Sequence, residues 1–303
     1  MSKINVAKIA NFDGHRGGIY SMEFSVNPNC FYSAGSEGFV VEWNSDTKGE
    51  GNLIASLGKP VFCIKTDREN KLLYCGTNSG NVHIIDLVEK KEIKNIEAHS
   101  RSVFDIKIFE EKIITCGGDG MINILNRKDF SLIKKIKASE KSARVISINK
   151  SESMMAVGFS DFKIRIYNSE NFELIKVLDR HTNSVFALSF SPDGKFLVSS
   201  GRDAMLKVWN IESSFSLVQD IPSHTAQVKC LAYNPSGKLL ASSSMDKTIK
   251  IWDVSTFELL KVIDKARNDS HTNCINQILW MDENHFVSCS DDKVVMGWRI
   301  GNQ

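Results

Sequence analysis

HTNSVFALSFSPDGKFLVSSGRDAMLKVW, residues 181–209, opens on His181, carries Asp203 and closes on Trp209. The next unit repeats the phrase. HTAQVKCLAYNPSGKLLASSSMDKTIKIW, residues 224–252, sets His224, Asp246 and Trp252 at matching places. Within the first copy SVFALSF (184–190) alternates apolar and polar side chains, the period of a strand with one buried face. SPDG (191–194) is a turn in which Pro presets one dihedral and Gly accepts a positive φ. KFLVSSG (195–201) and MLKVWNI (205–211) read as second and third strands, and FELIKVL (172–178) as the outer strand that precedes His181.

The Trp position extends this register along the chain: Trp43, Ile85, Leu125, Tyr167, Trp209, Trp252 and Trp298, at steps of 40 to 46 residues. Seven units of four short strands result. A second ladder, Phe130, Phe172, Phe215 and Phe257, enters each outer strand at the same spacing and predicts packing at the outer edge. The two ends are out of phase with the repeat. The chain stops just past a third strand, and NVAKIANFDGH near its start matches the fourth strand ELIKVLDRH. Residues 4–12 are therefore expected to complete the seventh sheet and close the ring, hiding two open edges. A single domain over 1–303 follows, with KARNDS (265–270) as its longest irregular insert.

Thirty-eight Lys and Arg face 36 Asp and Glu, which argues against a bulk polyanion binder. Seven cysteines without a CxxC pair favour free thiols in a reducing compartment. No run of 18 apolar residues occurs, and the first residues lack the apolar core of a signal peptide. A cytoplasmic protein is expected, with the nucleus left open.

The pattern resembles the WD-repeat family of seven-bladed β-propellers, with the literal Trp-Asp pair at Trp252–Asp253. The resemblance implies an all-β ring and a hydrogen-bonded His, Ser/Thr, Asp and Trp inside each blade. That set is complete at His181–Ser199–Asp203–Trp209, His224–Ser242–Asp246–Trp252 and His271–Ser288–Asp292–Trp298. Unit one has His15, Ser33, Glu37 and Trp43. Unit three keeps His99, Thr115 and Asp119, with Leu125 in the Trp place. Unit two (Leu57, Cys75, Ser79, Ile85) and unit four (Ser139, Val157, Asp161, Tyr167) are expected to have no network. Such a set imitates a Ser-His-Asp catalytic group. Recurrence in three units makes it structural, because a nucleophile needs one exposed site with an oxyanion hole.

Members of this family often bind peptides or domains across the narrow face, and the residue five places after the His is a frequent contact. Here those residues are Tyr20, Phe62, Phe104, Arg144, Phe186, Lys229 and Asn276. Four of the seven are aromatic against 9% for the whole chain, so chance is a poor account. The rings either pack between blades or form a collar that binds a partner. With Arg144 and Lys229 beside them, a collar suits a protein or peptide bearing an apolar anchor next to an acidic group. Arg202 and Asp291, each just before an Asp position, are expected polar selectors.

The expectation is a non-enzymatic scaffold or adapter with no cofactor, no metal, no membrane contact and no direct nucleic-acid contact. A subunit of a nucleic-acid-associated complex is the alternative, suggested by Lys134, Lys135 and Lys137. A propeller enzyme is a remote third. His83 and His285, the two histidines outside the ladder, are not spaced as metal ligands.

Overall fold

The computed structural model describes residues 4–302 apart from 48, 150 and 152, so residues 1–3 and 303 of the expected domain lie outside it. Among the described residues the strands form seven antiparallel sheets of four. Blade five consists of Val185–Phe190, Phe196–Gly201, Met205–Asn210 and Ser216–Pro222, bonded in that order. FELIKVL, which precedes His181 in sequence, completes the fourth sheet through Leu174–Leu178. The sequence repeat and the blade are thus offset by one strand. First strands of neighbouring blades touch in a closed circuit that includes blades seven and one.

Closure takes the expected route. Ile4–Phe12 pairs with Val295–Asn302, Ile4 opposite Asn302 and Phe12 opposite Val295. Val6 and Phe12 are buried by it. Phe12 meets Phe31 of blade one edge-to-face at 5.2 Å, so the N-terminal strand also seals the seam between the last blade and the first. KARNDS is less irregular than expected. Lys265–Asn268 is a helical turn capped by Asp264, whose side chain accepts from the Arg267 amide.

Apolar residues cluster in the seams between blades. One cluster joins Ile166 of blade four to Trp209 and Phe215 of blade five, and another joins Val208 of blade five to Trp252 and Phe257 of blade six. The Phe ladder lies in these seams rather than on the outer edge. Phe172, Phe215 and Phe257 are 6–7% exposed. Phe130, Phe172, Phe215 and Phe257 all take a left-handed backbone, with φ between 56° and 64°. A bulky residue holds that conformation only where its surroundings demand it, and here burial of the ring supplies the demand.

The internal wiring of the blades follows the sequence in five cases. His181 Nδ1 lies 2.7 Å from Asp203, its Nε2 lies 2.7 Å from Ser199 Oγ, and the Trp209 indole donates to the same Oγ at 2.8 Å. His224, Ser242, Asp246 and Trp252 repeat this at 2.8–2.9 Å, as do His271, Ser288, Asp292 and Trp298. Blade one substitutes Glu37 for the Asp, and blade three keeps His99 with Thr115 and Asp119. Every proton finds an acceptor when the indole N–H of the Trp blades donates to Ser, the hydroxyl donates to the imidazole and the imidazole N–H donates to the carboxylate. That arrangement needs a neutral ring. Burial supplies it by lowering the pKa of His15, His99 and His224 from the ordinary 6.5.

Blade two lacks the ladder's His-to-carboxylate network, and Ser79 bonds to Thr77 and Asn81 beside it, at 3.0 and 3.1 Å. Cys75 and Ile85 are simply packed, at 0% and 2% exposure. Blade four corrects the expectation. Asp161 accepts from Ser139 at 2.8 Å and from Arg165 on the third strand at 2.7 and 3.2 Å. The Arg165 guanidinium also lies 4.5 Å from the Phe159 ring centroid. Arginine has reached the carboxylate from a different strand, replacing the missing imidazole.

Candidate functional site: a collar on the narrow face

Every first strand carries one β-bulge, and in all seven blades the bulged residue is the collar position. Pairing skips Tyr20, Phe62, Phe104, Arg144, Phe186, Lys229 and Asn276. A bulge takes a residue out of the in-out alternation of its strand and re-aims its side chain. The residue before each one, from Ile19 and Val61 round to Val228 and Ile275, is fully buried. The bulged residue is turned to the mouth of the channel instead.

All seven line one cavity of about 430 Å³, with Gln227, Met245, Asn273, Cys274 and Asp291. Each of the seven is half-buried, so the rings both touch one another and remain open to the cavity. Tyr20 and Phe62 lie 5.5 Å apart between centroids, and Phe62 and Phe104 stack at 5.8 Å and 15°. The Arg144 guanidinium sits 4.3 Å from the Phe104 centroid and 5.5 Å from that of Phe186, and Lys229 Nζ is 5.5 Å from Phe186. An unbroken arc of rings and cations thus spans blades one to six.

Arg144 donates from Nε to Ser160 Oγ at 2.8 Å. Burial lowers its pKa from the ordinary 12.5, the cost of holding a cation away from water. The cation stays charged, and among the described residues it forms no ion pair with a carboxylate. Blade seven closes the circle with different chemistry. Asn276 donates to Asp291 at 2.8 Å and to the Ile19 carbonyl at 2.8 Å. Gly18 lets Asp291 come near, since a Cβ there would lie 3.0 Å from the carboxylate.

Asp291 joins the collar, whereas Arg202 is exposed and does not line the cavity. The sequence reading passed over Asn273, which reaches the cavity from the loop two residues past His271. Below the collar the channel is polar, with Glu23 bridged to Lys65 at 2.9 Å and Asp105 to Lys107 at 3.0 Å.

The other singled-out residues lie elsewhere. His83 pairs with Glu92 at 3.2 Å and His285 with Asp282 at 2.9 Å. Lys134 donates to the Asn171 carbonyl at 2.9 Å, and Lys137 pairs with Glu140 at 3.1 Å. Among the described residues no group of three or more His, Cys, Asp and Glu is placed to hold a metal ion. None of their helices is long and apolar enough to cross a membrane.

Comparison with known proteins agrees with this geometry. The yeast U3 small nucleolar RNA-associated protein 21 (Saccharomyces cerevisiae) is 24% identical over 57% of this chain and 18% of its own length. The mouse periodic tryptophan protein 2 homolog is 22% identical over 67% of the chain and 24% of its own length. The WD repeat-containing protein 91 homolog of Dictyostelium discoideum is 26% identical over 66% and 27%. The chain therefore spans 18–27% of the length of these relatives. The family model for the WD domain, G-beta repeat, matches residues 7–44, 172–210, 215–253 and 264–299, half of the chain. It passes over 45–171, where the blades lacking a His or a Trp lie. The chain belongs to the WD40 family.

Proposed function

We propose that the chain is a non-enzymatic scaffold or adapter that binds a peptide or protein segment across the narrow face of the propeller. The observation that carries this reading is the arc Tyr20–Phe62–Phe104–Arg144–Phe186–Lys229, delivered to one cavity by six of the seven bulges. Half-exposed aromatic rings offer a large contact area at little conformational cost. Arg144 is held between two rings and satisfied by a single serine hydroxyl. An acidic side chain on the partner completes its coordination, and a neighbouring apolar side chain covers the rings. Asp291 faces them from blade seven and orients the segment by accepting a donor. Arg202 supplies an outlying cation on the same face. Seven unpaired cysteines support a reducing, cytoplasmic setting.

The test is affinity purification with wild type and a Phe62/Phe104/Phe186 triple alanine variant, with folding checked by thermal melting. Loss of partners from a folded variant supports the collar. Equal retention overturns it.

A second reading is membership of a nucleic-acid-associated complex. The name of the yeast relative, a U3 small nucleolar RNA-associated protein, favours it. The near balance of charge supports a protein contact inside such a complex rather than direct contact with nucleic acid. Salt-dependent binding of the purified chain to RNA would reverse that preference.

A further inference from the structure

The seam between blades seven and one differs from the four seams between blades two and six in a way that opens a groove. At the seam between blades three and four, the buried ring of Phe172 packs with Phe109 and Ile124, and Lys112 Nζ lies 5.9 Å from its centroid. Between blades five and six, Phe257 packs with Val208 and meets Phe196 edge-to-face at 6.1 Å. By strand register, His285 occupies the place of Lys112 and Phe196, and Gly297 that of Ile124 and Val208. The ring itself comes from the loop before the outer strand of the following blade. In blade one that loop is SDTKGEG (45–51), which contains no aromatic residue.

Two apolar side chains that fill the four seams from blade two to blade six are thus missing from this one. The result is a groove of about 440 Å³ with Ala10, Phe12, Met281, Phe286 and Trp298 in its walls. Its rim is acidic. Asp46 is exposed, and the Asp282 side chain is 58% exposed. Neither residue belongs to the narrow-face cavity.

We propose that this groove receives an aromatic side chain from a partner segment that carries a basic residue beside it. The ring takes the place that Phe172 and Phe257 hold in their own seams. The base faces Asp46 and Asp282. The site is separate from the collar, so a partner engaged there and a partner engaged here can be bound together.

The test titrates the isotopically labelled full chain with N-acetyl-Lys-Phe-Lys-amide and with its Lys-Ala-Lys counterpart, following amide signals by NMR. The Phe peptide is expected to shift Ala10, Asp282 and Gly297 and to bind about 10-fold more tightly than the Ala peptide. Gly297→Val restores the branched side chain found at Val208 and should abolish the shifts. A Cβ at Gly297 comes within 3.2 Å of Ala10 Cβ, so its folding is checked by melting. If that variant melts early, Asp46→Lys replaces it, with weaker binding of the Phe peptide expected. Equal binding of the two peptides overturns the proposal, as do unchanged shifts in the folded variants. Concentration-dependent shifts at the groove without peptide also overturn it, since they would assign the groove to a second copy of the chain.

Discussion

Arg127 of blade three grips Asp67 of blade two with two parallel hydrogen bonds, Nε to Oδ2 and Nη2 to Oδ1, each 2.6 Å long. The Asp67 side chain is fully buried and that of Arg127 is 12% exposed. Asn70 adds backbone and side-chain bonds to the same carboxylate. Blade two lacks the ladder His and Trp, whose places are taken by Leu57 and Ile85, and this pair ties it to its neighbour instead. Asp67→Ala leaves a buried guanidinium with the exposed Glu69 and a long 3.4 Å bond to the Glu110 carbonyl. The expected loss is about 3–5 kcal/mol in urea unfolding. A loss below about 1 kcal/mol would mean that water replaces the carboxylate, as at an exposed pair.

Asp246→Ala removes acceptors from His224 at 2.9 Å and from the Thr225 amide at 3.0 Å. Stability should fall by about 2–3 kcal/mol, with partner binding intact once the protein is assayed well below its melting point. Asp203→Ala should behave alike, having lost His181 and the Thr182 amide. Binding lost at unchanged stability would count against the structural role of these groups.

In blade four the guanidinium matters for its shape as well as its charge. Arg165 contacts both oxygens of Asp161 and covers Phe159. Arg165→Ala should cost about 1–3 kcal/mol, and Arg165→Lys should recover less than half of this, because a point charge cannot make the forked contact. Full recovery by lysine, measured by thermal melting, would show that charge alone suffices.

The ring, the closure by residues 4–12 and the networks of five blades were legible because each depends on a short period that repeats. The collar was legible for a related reason. The bulge falls at a constant offset from the His, so counting five residues finds it even in blades two and four, where the His is gone. Whether the rings face the cavity could not be read that way, because strand alternation alone cannot reveal a bulge. Arg165 escaped notice because it reaches Asp161 from the third strand, at a position where blades five and six carry Lys207 and Lys250 for other bonds. The Asp67–Arg127 pair spans 60 residues and two units, so no repeat pattern signals it. Gly297 breaks a column of branched residues that runs from Ile84 to Ile251 one place before the Trp position, but that the gap opens a groove depends on how the blades pack.

Acid should unfold the protein in two stages. His15, His99 and His224 have folded pKa values below their ordinary 6.5. The unfolded chain therefore binds more protons, and stability falls as the pH drops below about 6.5. The second stage belongs to the carboxylates. Burial works to raise the pKa of Asp67, but Arg127 and Asn70 outweigh it and bring the value from 3.8 to about 2. Asp203, Asp246 and Asp292 are likewise held down by their histidines against burial. Stability from these groups is present above pH 3.8 and is lost as pH falls towards 2. The share from Asp67 is roughly 2 kcal/mol. Urea unfolding across pH 7 to 3 checks both stages, and Asp67→Asn should flatten the second. A stability curve that is level from pH 7 to 4 would remove the first.

The N-terminal clasp is apolar in its energetics despite its charged outer face. Lys8 bridges to Asp269, whose side chain is 64% exposed, so Lys8→Ala should cost no more than about 1 kcal/mol. Phe12 is 2% exposed and packs with Phe31 and Trp43 of the next blade at 5.2 and 5.9 Å. Phe12→Ala should cost about 3–5 kcal/mol. Because this strand completes the seventh blade, the loss should register first as faster amide exchange along Val295–Asn302, the strand paired with it. Exchange that quickens equally in all seven blades would instead show that the ring opens as one cooperative unit.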